Sequence, residues 1–379
     1  MKKIVLSLFS LSLLCACTQT NAPVHLVGQT PMDDTCYAKG VSAAFVGYMD
    51  GHLIMAGGSN FPATPAAEGG IKRYYNTIYA LPESYDGSKF RPSAWQRIGV
   101  LPDKMAYGVA VSDSLGMVFV GGCNEKGGLS NAFRIRPNGR VMQCDMLPAL
   151  PFTMDNMGGA LLNGRVYVVG GLVDGVPSNG LYTLDMQSRE WFECAPMPGT
   201  PRIQPVCVAQ GGRLFVWGGY SQPVDSLGRV MAEGCLVHTD GWCYNPADDS
   251  WSVIASPLNA AGLPLTLTGS TAIAWGNDEI LAVGGVNRNV FLGGIQGIFP
   301  MPDYMLHEPE WYRFNPEVLI YSVSANTWRV AAESELTARA GAALIALPHT
   351  AADEAPAALL FGGEKKPGVR TNEVTLIRP

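Results

Sequence analysis

The sequence predicts an all-β chain folded as a six-bladed β-propeller. Two observations carry this expectation: a hydrophobic strand runs into a Gly-Gly pair six times, and the segments between the pairs hold enough short strands for a four-stranded unit each. The strands are residues 51–56, 117–120, 165–169, 213–217, 279–283 and 358–361. They lead into Gly57-Gly58, Gly121-Gly122, Gly170-Gly171, Gly218-Gly219, Gly284-Gly285 and Gly362-Gly363. A repeat of this length cannot bury its own apolar face and must stack on neighbours. Glycine suits the junctions because it tolerates backbone conformations and close approaches that a Cβ forbids.

The third unit shows the order of elements most compactly. Residues 157–162 read as a first strand, Asn163-Gly164 as a tight turn and 165–169 as the second strand. Residues 180–185 and 190–194 follow as the third and fourth strands, separated by a polar turn. Successive diglycines are 64, 49, 48, 66 and 78 residues apart, so units of about 48 residues carry insertions at 59–76, 220–243 and 286–317. Long excursions from a regular scaffold are where binding faces are usually built. The sixth unit has only residues 372–377 after its diglycine, and the segment 23–28 is expected to supply its missing outer strand and so remove an exposed edge. Within the units a tyrosine-bearing strand precedes a tryptophan-bearing one: Tyr79 and Trp95, Tyr182 and Trp191, Tyr244 and Trp251, Tyr321 and Trp328. The second unit departs, with Phe133 and Val141 in those places. This pattern resembles the kelch repeat, which implies a kelch-type propeller over residues 23–379. The rings are expected to pack between units.

Residues 1–17 stand apart from the fold. Lys2 and Lys3 precede an apolar run of eleven residues, 4–14, too short to span a bilayer as a helix. The run closes on Leu14-Cys15-Ala16-Cys17, which resembles a bacterial lipobox. That resemblance implies a lipoprotein signal, acylation at Cys17, a tether over 18–22, and a lipid-anchored protein of the bacterial cell envelope facing the periplasm or the cell exterior. No later segment has the apolar length of a membrane span, so the membrane is expected to be met only through the anchor. Loss of Lys2 and Lys3 takes the formal net charge from −6 to −8, and no Lys/Arg cluster is present, which argues against a nucleic-acid partner. Seven of the nine cysteines lie beyond Cys17 at loose spacings, so no disulfide framework is implied. Cys235 and Cys243 are read either as a local pair or as small buried hydrophobes. His25, His52, His238, His307 and His349 are scattered singly, without metal-ligand spacing.

Chemistry is expected just beyond the sixth diglycine, in Glu364-Lys365-Lys366-Pro367-Gly368-Val369-Arg370-Thr371. The Pro-Gly turn brings Glu364 and Arg370 to one place, either around a small ligand or as a solvated surface hairpin. The stretch resembles the active-site motif of the bacterial N-acetylneuraminate epimerase (sialic-acid mutarotase) family, in its Gly-Glu-x-Lys-Pro-Gly-x-Arg-Thr pattern. A second matching stretch is Glu68 to Thr77, read as Glu-Gly-Gly-Ile-Lys-Arg-Tyr-Tyr-Asn-Thr. Because the glutamate-arginine unit comes last here and the second motif first, the likeness is to a cyclically permuted branch of that family.

The resemblance implies an isomerase that interconverts the α and β anomers of N-acetylneuraminic acid by acid/base ring opening and closure, with Glu364 and Arg370 as the catalytic residues. Glu68, Lys72, Arg73, Asn156, Arg202 and Arg339, all near predicted strand entries or insertions, are candidates for binding the sialic acid, with a structural or solvated role as the alternative for each. No cofactor and no metal are called for, and an oligomeric partner is not indicated. The competing reading is a non-catalytic propeller that binds glycans or proteins. A hydrolytic sialidase fits less well, because the repeats are diglycine units and lack aspartate boxes.

Overall fold

The computed structural model describes residues 23–81, 94–138, 141–348 and 356–379. The signal segment, Cys17 and the tether therefore lie outside the described residues. Six antiparallel sheets of four strands dominate, five of them in simple up-and-down order. The third sheet is typical, with Gly158–Leu162, Arg165–Val169, Leu181–Asp185 and Glu190–Cys194. Its second strand is buried along nearly its whole length, whereas its fourth alternates between half-buried and exposed. That gradient is what a strand covered on both faces, followed by one facing solvent, requires of its side chains.

The expectation of a closed six-bladed kelch-type β-propeller is corrected by this topology. Hydrogen bonding stops at the two edges of every sheet, so the chain forms several open antiparallel sheets and none curls round to pair with itself. The descriptions kelch repeat and β-propeller are withdrawn with it. The strand-diglycine repeat specified the strands of each unit; closure depends on contacts remote in sequence, which a local pattern does not encode.

What joins successive sheets is packing and a small set of backbone bonds. Apolar clusters lie between neighbours, such as Phe45, Ile54, Phe119 and Phe133 between the first sheet and the second. Another, with Met55, Tyr79, Leu359 and Phe361, lies between the first sheet and the last. The repeated tryptophans act at the outer ends of the sheets. Trp191, Trp251 and Trp328 donate their indole N–H to the carbonyls of Pro148, Ala195 and Ala255, just past the final strand of the preceding sheet, at 2.8, 2.8 and 3.0 Å.

The diglycines act at the inner ends. Both members of every pair adopt positive φ, from +57° at Gly362 to +97° at Gly285. The second glycine donates its N–H to the segment that enters the next sheet: Gly58 to Met105 O, Gly122 to Met154 O, Gly171 to Arg202 O, Gly285 to Arg339 O and Gly363 to Val41 O, at 2.8–2.9 Å. A Cβ on the first glycine would sit 2.3 Å from Met154 O at Gly121 and 2.4 Å from Val41 O at Gly362. Such contacts leave no room for any other residue.

The last sheet is completed by the start of the described chain. Val24–Gln29 pairs antiparallel with Glu373–Ile377, through a register that shifts between Leu26 and Gly28. Ala343–Ala346 and Ala358–Phe361 lie on the other side of Glu373–Ile377.

The inserted segments carry little strand. The longest contains helices α1 (Arg288–Ile295), α2 (Asp303–Leu306) and α3 (Pro309–Tyr312). Asn287 starts α1 by accepting the N–H groups of Asn289 and Val290 on its side-chain oxygen. Tyr304, Tyr312, Phe314 and Val286 bury against one another and give this insertion a core of its own.

Two outcomes follow. Gly121→Ala is expected to cost about 2–3 kcal/mol more in urea unfolding than Gly164→Ala, because both positions have positive φ and only Gly121 meets backbone at contact distance. Equal losses at the two positions would show that conformation alone, and not the inter-sheet contact, makes the glycine necessary. Deleting residues 23–31 bares the edge of Glu373–Ile377 and is expected to cause unfolding or aggregation; an unchanged cooperative melting transition rules this out.

Candidate active site

The segment after the sixth diglycine folds as a hairpin, with Glu364–Lys366 paired to Val369–Arg370 around Pro367 and Gly368. Pro presets φ at the first turn position and Gly368, at φ +80°, takes the second. This geometry sets Glu364 directly opposite Arg370. An Arg370 Nη2 to Glu364 Oε1 ion pair of 2.8 Å results. Ser42, from the entry to the first sheet, bridges the two: its hydroxyl donates to Glu364 Oε1 at 3.3 Å and accepts Arg370 Nε at 3.1 Å. The second carboxylate oxygen, Oε2, accepts one long bond among the described residues, 3.3 Å from Gly368 N–H. Phe61 lies over the guanidinium, 4.9 Å from ring centre to Cζ, and the Arg370 side chain is 3% exposed.

Glu364 borders a cavity of about 300 Å³. Its floor is built from the residues that enter the first strands. Ala43, Tyr107, Asn156, Gln204, Gly269 and Gly341 occupy equivalent places in the six sheets and all have positive φ, between +53° and +68°. Backbone bonds run between them: Tyr107 N–H to Ala43 O, Asn156 to Tyr107, Gln204 to Asn156, Gly341 to Gly269 and Ala43 to Gly341. Three of the six carry large side chains into the site and three are alanine or glycine. Insertions close the opposite side, through Phe291, Tyr304 and Phe314. They are held to the hairpin by Lys366, whose ammonium donates to His307 O at 2.6 Å. Burial, together with the nearby Tyr312 and the charge of Glu364, pushes the Tyr304 hydroxyl up to about 12, so it stays protonated and able to donate. Burial likewise raises Tyr220, which lines the same cavity, to about 12.

The remaining sequence candidates divide by environment. Lys72 joins the site: its ammonium lies 5.7 Å from the Phe61 ring centre, 5.0 Å from that of Tyr107, and donates to the Tyr107 hydroxyl at 3.4 Å. Asn156 faces the cavity. Arg73 turns away to Asp34, at 3.6 Å, and stacks on Tyr75. Glu68 is exposed in a short 3-10 turn, Ala66–Glu68. Arg202 and Arg339 are each 1% exposed and are spent on the scaffold. Arg202 grips Asp240 through two 3.0 Å bonds and donates to Gly218 O. Arg339 donates to the carbonyls of Leu336, Gly362 and Glu373, and burial lowers it to about 10. Both buried guanidinium groups bond within the sheet they enter, across its diglycine junction, and neither lines the cavity.

Ser42, Phe61, Tyr107, Gln204 and Tyr304 were not singled out from sequence. Tyr107 and Gln204 hold the place of Asn156 in their own units, so aligning the six units was the signal that could have found them. Outside the cavity, Ser221, His238 and Asp240 line up in the order of a hydrolytic triad, with Ser221 Oγ 2.7 Å from His238 Nε2. They are not arranged for nucleophilic work: His238 Nδ1 is 3.8 Å from Asp240, Asp240 is held by Arg202, and Ser221 is buried against Pro201 O at 2.6 Å. Among the described residues no three His, Cys, Asp or Glu side chains converge as metal ligands. Cys235 and Cys243 are both free and buried.

Residues 147–378 match the family model described as NANM: N-acetylneuraminate epimerase. The chain belongs to the N-acetylneuraminate epimerase family. The matched segment contains Glu364 and Arg370 and leaves out Lys72. The family resemblance thus stands, while its qualification as a branch of kelch propellers falls with the corrected topology. Among similar proteins is the N-acetylneuraminate epimerase of Haemophilus influenzae (strain PittEE), 33% identical over 241 residues, which cover 60% of this chain and 57% of that protein. That of Pasteurella multocida (strain Pm70) is 29% identical over 242 residues, covering 60% and 58% respectively. The chain therefore spans less than two thirds of the length of these relatives. The solved structure of YjhT is 28% identical, with 61% of this chain and 65% of that one covered at a TM-score of 0.49.

Proposed function

We propose that the protein is an isomerase that interconverts the α and β anomers of N-acetylneuraminic acid by acid/base ring opening and closure. The observation that carries this reading is Glu364 at the wall of a cavity the size of a sugar, with one carboxylate oxygen nearly uncommitted. Family membership supports the substrate class. Glu364 Oε2 takes the proton of the anomeric hydroxyl; the electron pair left on that oxygen forms the ketone as the bond to the ring oxygen breaks. The ring oxygen then receives a proton, supplied by the carboxylic acid just formed. Reversal on the other face of the ketone returns the second anomer and the original carboxylate, so atoms and charge balance.

Arg370 acts through Glu364: its guanidinium is covered by Phe61 and bonded through Nη2 to Glu364 and through Nε to Ser42, while Nη1 is buried without a partner among the described residues. It is a positioning residue that keeps Oε1 occupied and leaves Oε2 for the proton. Lys72 has no carboxylate partner among the described residues and is the cation suited to the sugar carboxylate. Asn156 is a binding residue on the cavity floor. The reaction moves only protons and one carbon–oxygen bond.

Following fresh α anomer by proton resonance, the unaltered protein is expected to hasten relaxation to equilibrium. Glu364→Gln should remove the excess rate without lowering the melting temperature, and no acceleration by the unaltered protein sinks the assignment. Arg370→Lys, which keeps the charge and loses the fork, should lower kcat about 10-fold or more with little change in KM; a change confined to KM would instead make Arg370 a substrate contact. We further propose that Cys17 anchors the protein in the bacterial cell envelope by its lipid. Cys17→Ala should then release it from the membrane fraction, and an unchanged fraction refutes the anchor.

A further inference from the structure

The cavity floor contains an ordered relay of amides, in which Asn156 passes on to Gln204 the direction set by a carboxylate. Asp155 Oδ1 accepts Asn156 Nδ2 at 2.6 Å, and Asn156 Oδ1 accepts Gln204 Nε2 at 3.0 Å. The carboxylate fixes the direction of the whole relay. An ionised carboxylate only accepts, so Asn156 must turn its NH2 to Asp155 and its oxygen to Gln204. Gln204 must then spend its NH2 on Asn156 and present its oxygen elsewhere. No donor among the described residues reaches Gln204 Oε1. That oxygen hangs over Gly269: a point one bond length out from the Gly269 Cα, where a Cβ would be, lies 3.7 Å from it. The same point is 3.9 Å from Val286 Cγ1 and 3.4 Å from Ala340 Cβ. Gln204, Gly269, Val286 and Ala340 all line the cavity that Glu364 borders.

An oriented acceptor beside an apolar wall is thus held over a bare glycine. A sugar hydroxyl is a poor match for such a niche, because it presents donor and acceptor at a single atom and has nothing to lay against the wall. An acetamido group matches both parts, with its N–H adjacent to an acyl methyl. We propose that Gln204, directed by Asp155 through Asn156, is a specificity-determining residue that accepts the acetamido N–H of the substrate while Val286 and Ala340 receive its methyl.

This rests on the proposed reading of the site, and the test separates the two. N-acetylneuraminic acid is compared with the analogue bearing a hydroxyl in place of the acetamido group, on the unaltered protein, Gln204→Ala and Gln204→Met. The methionine keeps the length of the side chain without the acceptor, and both replacements leave the backbone bonds of residue 204 in place, as melting curves will check. Each sugar is measured for anomer exchange and, separately, for its dissociation constant by ligand-observed resonance. Loss of one hydrogen bond is expected to shift the ratio of KM values, and of dissociation constants, about 10-fold toward the hydroxyl sugar in both variants. Equal weakening toward the two sugars, or an unchanged ratio, overturns the proposal. Should the unaltered protein bind the sugars without hastening exchange, the catalytic reading fails while the dissociation constants still decide the role of Gln204. Failure to bind either sugar overturns both.

Discussion

The contact on which this structure turns is a backbone one: in five of the six sheets, the N–H of a glycine at the end of the second strand meets the carbonyl of the chain that enters the next sheet. It brings two main chains closer than a Cβ allows, and it does so at positive φ, so two independent penalties exclude every residue but glycine. Because the bond is made to the entry segment, it fixes where the next first strand begins. The apolar clusters between sheets then fill a space whose width is already set. Tryptophan indoles make the corresponding bond at the outer ends, and the sheets are thereby held at both ends by hydrogen bonds and between them by packing.

The same entry segments form the site. Six residues at positive φ sit side by side where the first strands start, and five of them line the cavity of about 300 Å³ that Glu364 borders. A repeated scaffold would make this floor symmetric, and side-chain identity breaks the symmetry. Tyr107, Asn156 and Gln204 make one arc polar. Ala43, Gly269 and Gly341 leave the other bare, next to Glu364. In the proposed reaction the sugar needs room at the reacting carbon and fixed contacts at its substituents, and the two arcs differ in these respects. The insertions add a wall with its own aromatic core, so the cavity is closed by elements that the repeat does not specify.

Three arginines show how the same side chain is put to different uses by burial and partners. Arg202 and Arg339 bond to carbonyls and a carboxylate within the sheets they enter, where loss of the guanidinium would strand buried acceptors. Arg370 is nearly as covered, yet its partner is the carboxylate that borders the cavity. Its forked shape occupies one oxygen of Glu364 and leaves the other. What distinguishes these cases is the set of partners that folding supplies.

The sequence by itself determined the six four-stranded units, because diglycine junctions and alternating strands are local patterns with local causes. It also determined the hairpin at Glu364 and Arg370, because a Pro-Gly turn sets the register of the residues on either side of it. It identified the chain end that completes the last sheet, since a unit short of a strand must find one. Tertiary structure decided how the sheets relate. The closed propeller expected from the repeat gave way to open sheets joined by packing, an outcome that rests on contacts dozens of residues apart. Tertiary structure also decided which charged residues belong to the site. Arg202, Arg339 and Arg73 were candidates by type and are placed elsewhere by their partners, while Gln204 and Tyr304 enter the cavity because equivalent sheet entries and a distant insertion converge there. Chemistry local to a turn can be read along the chain; a cavity is made of residues that only folding brings together.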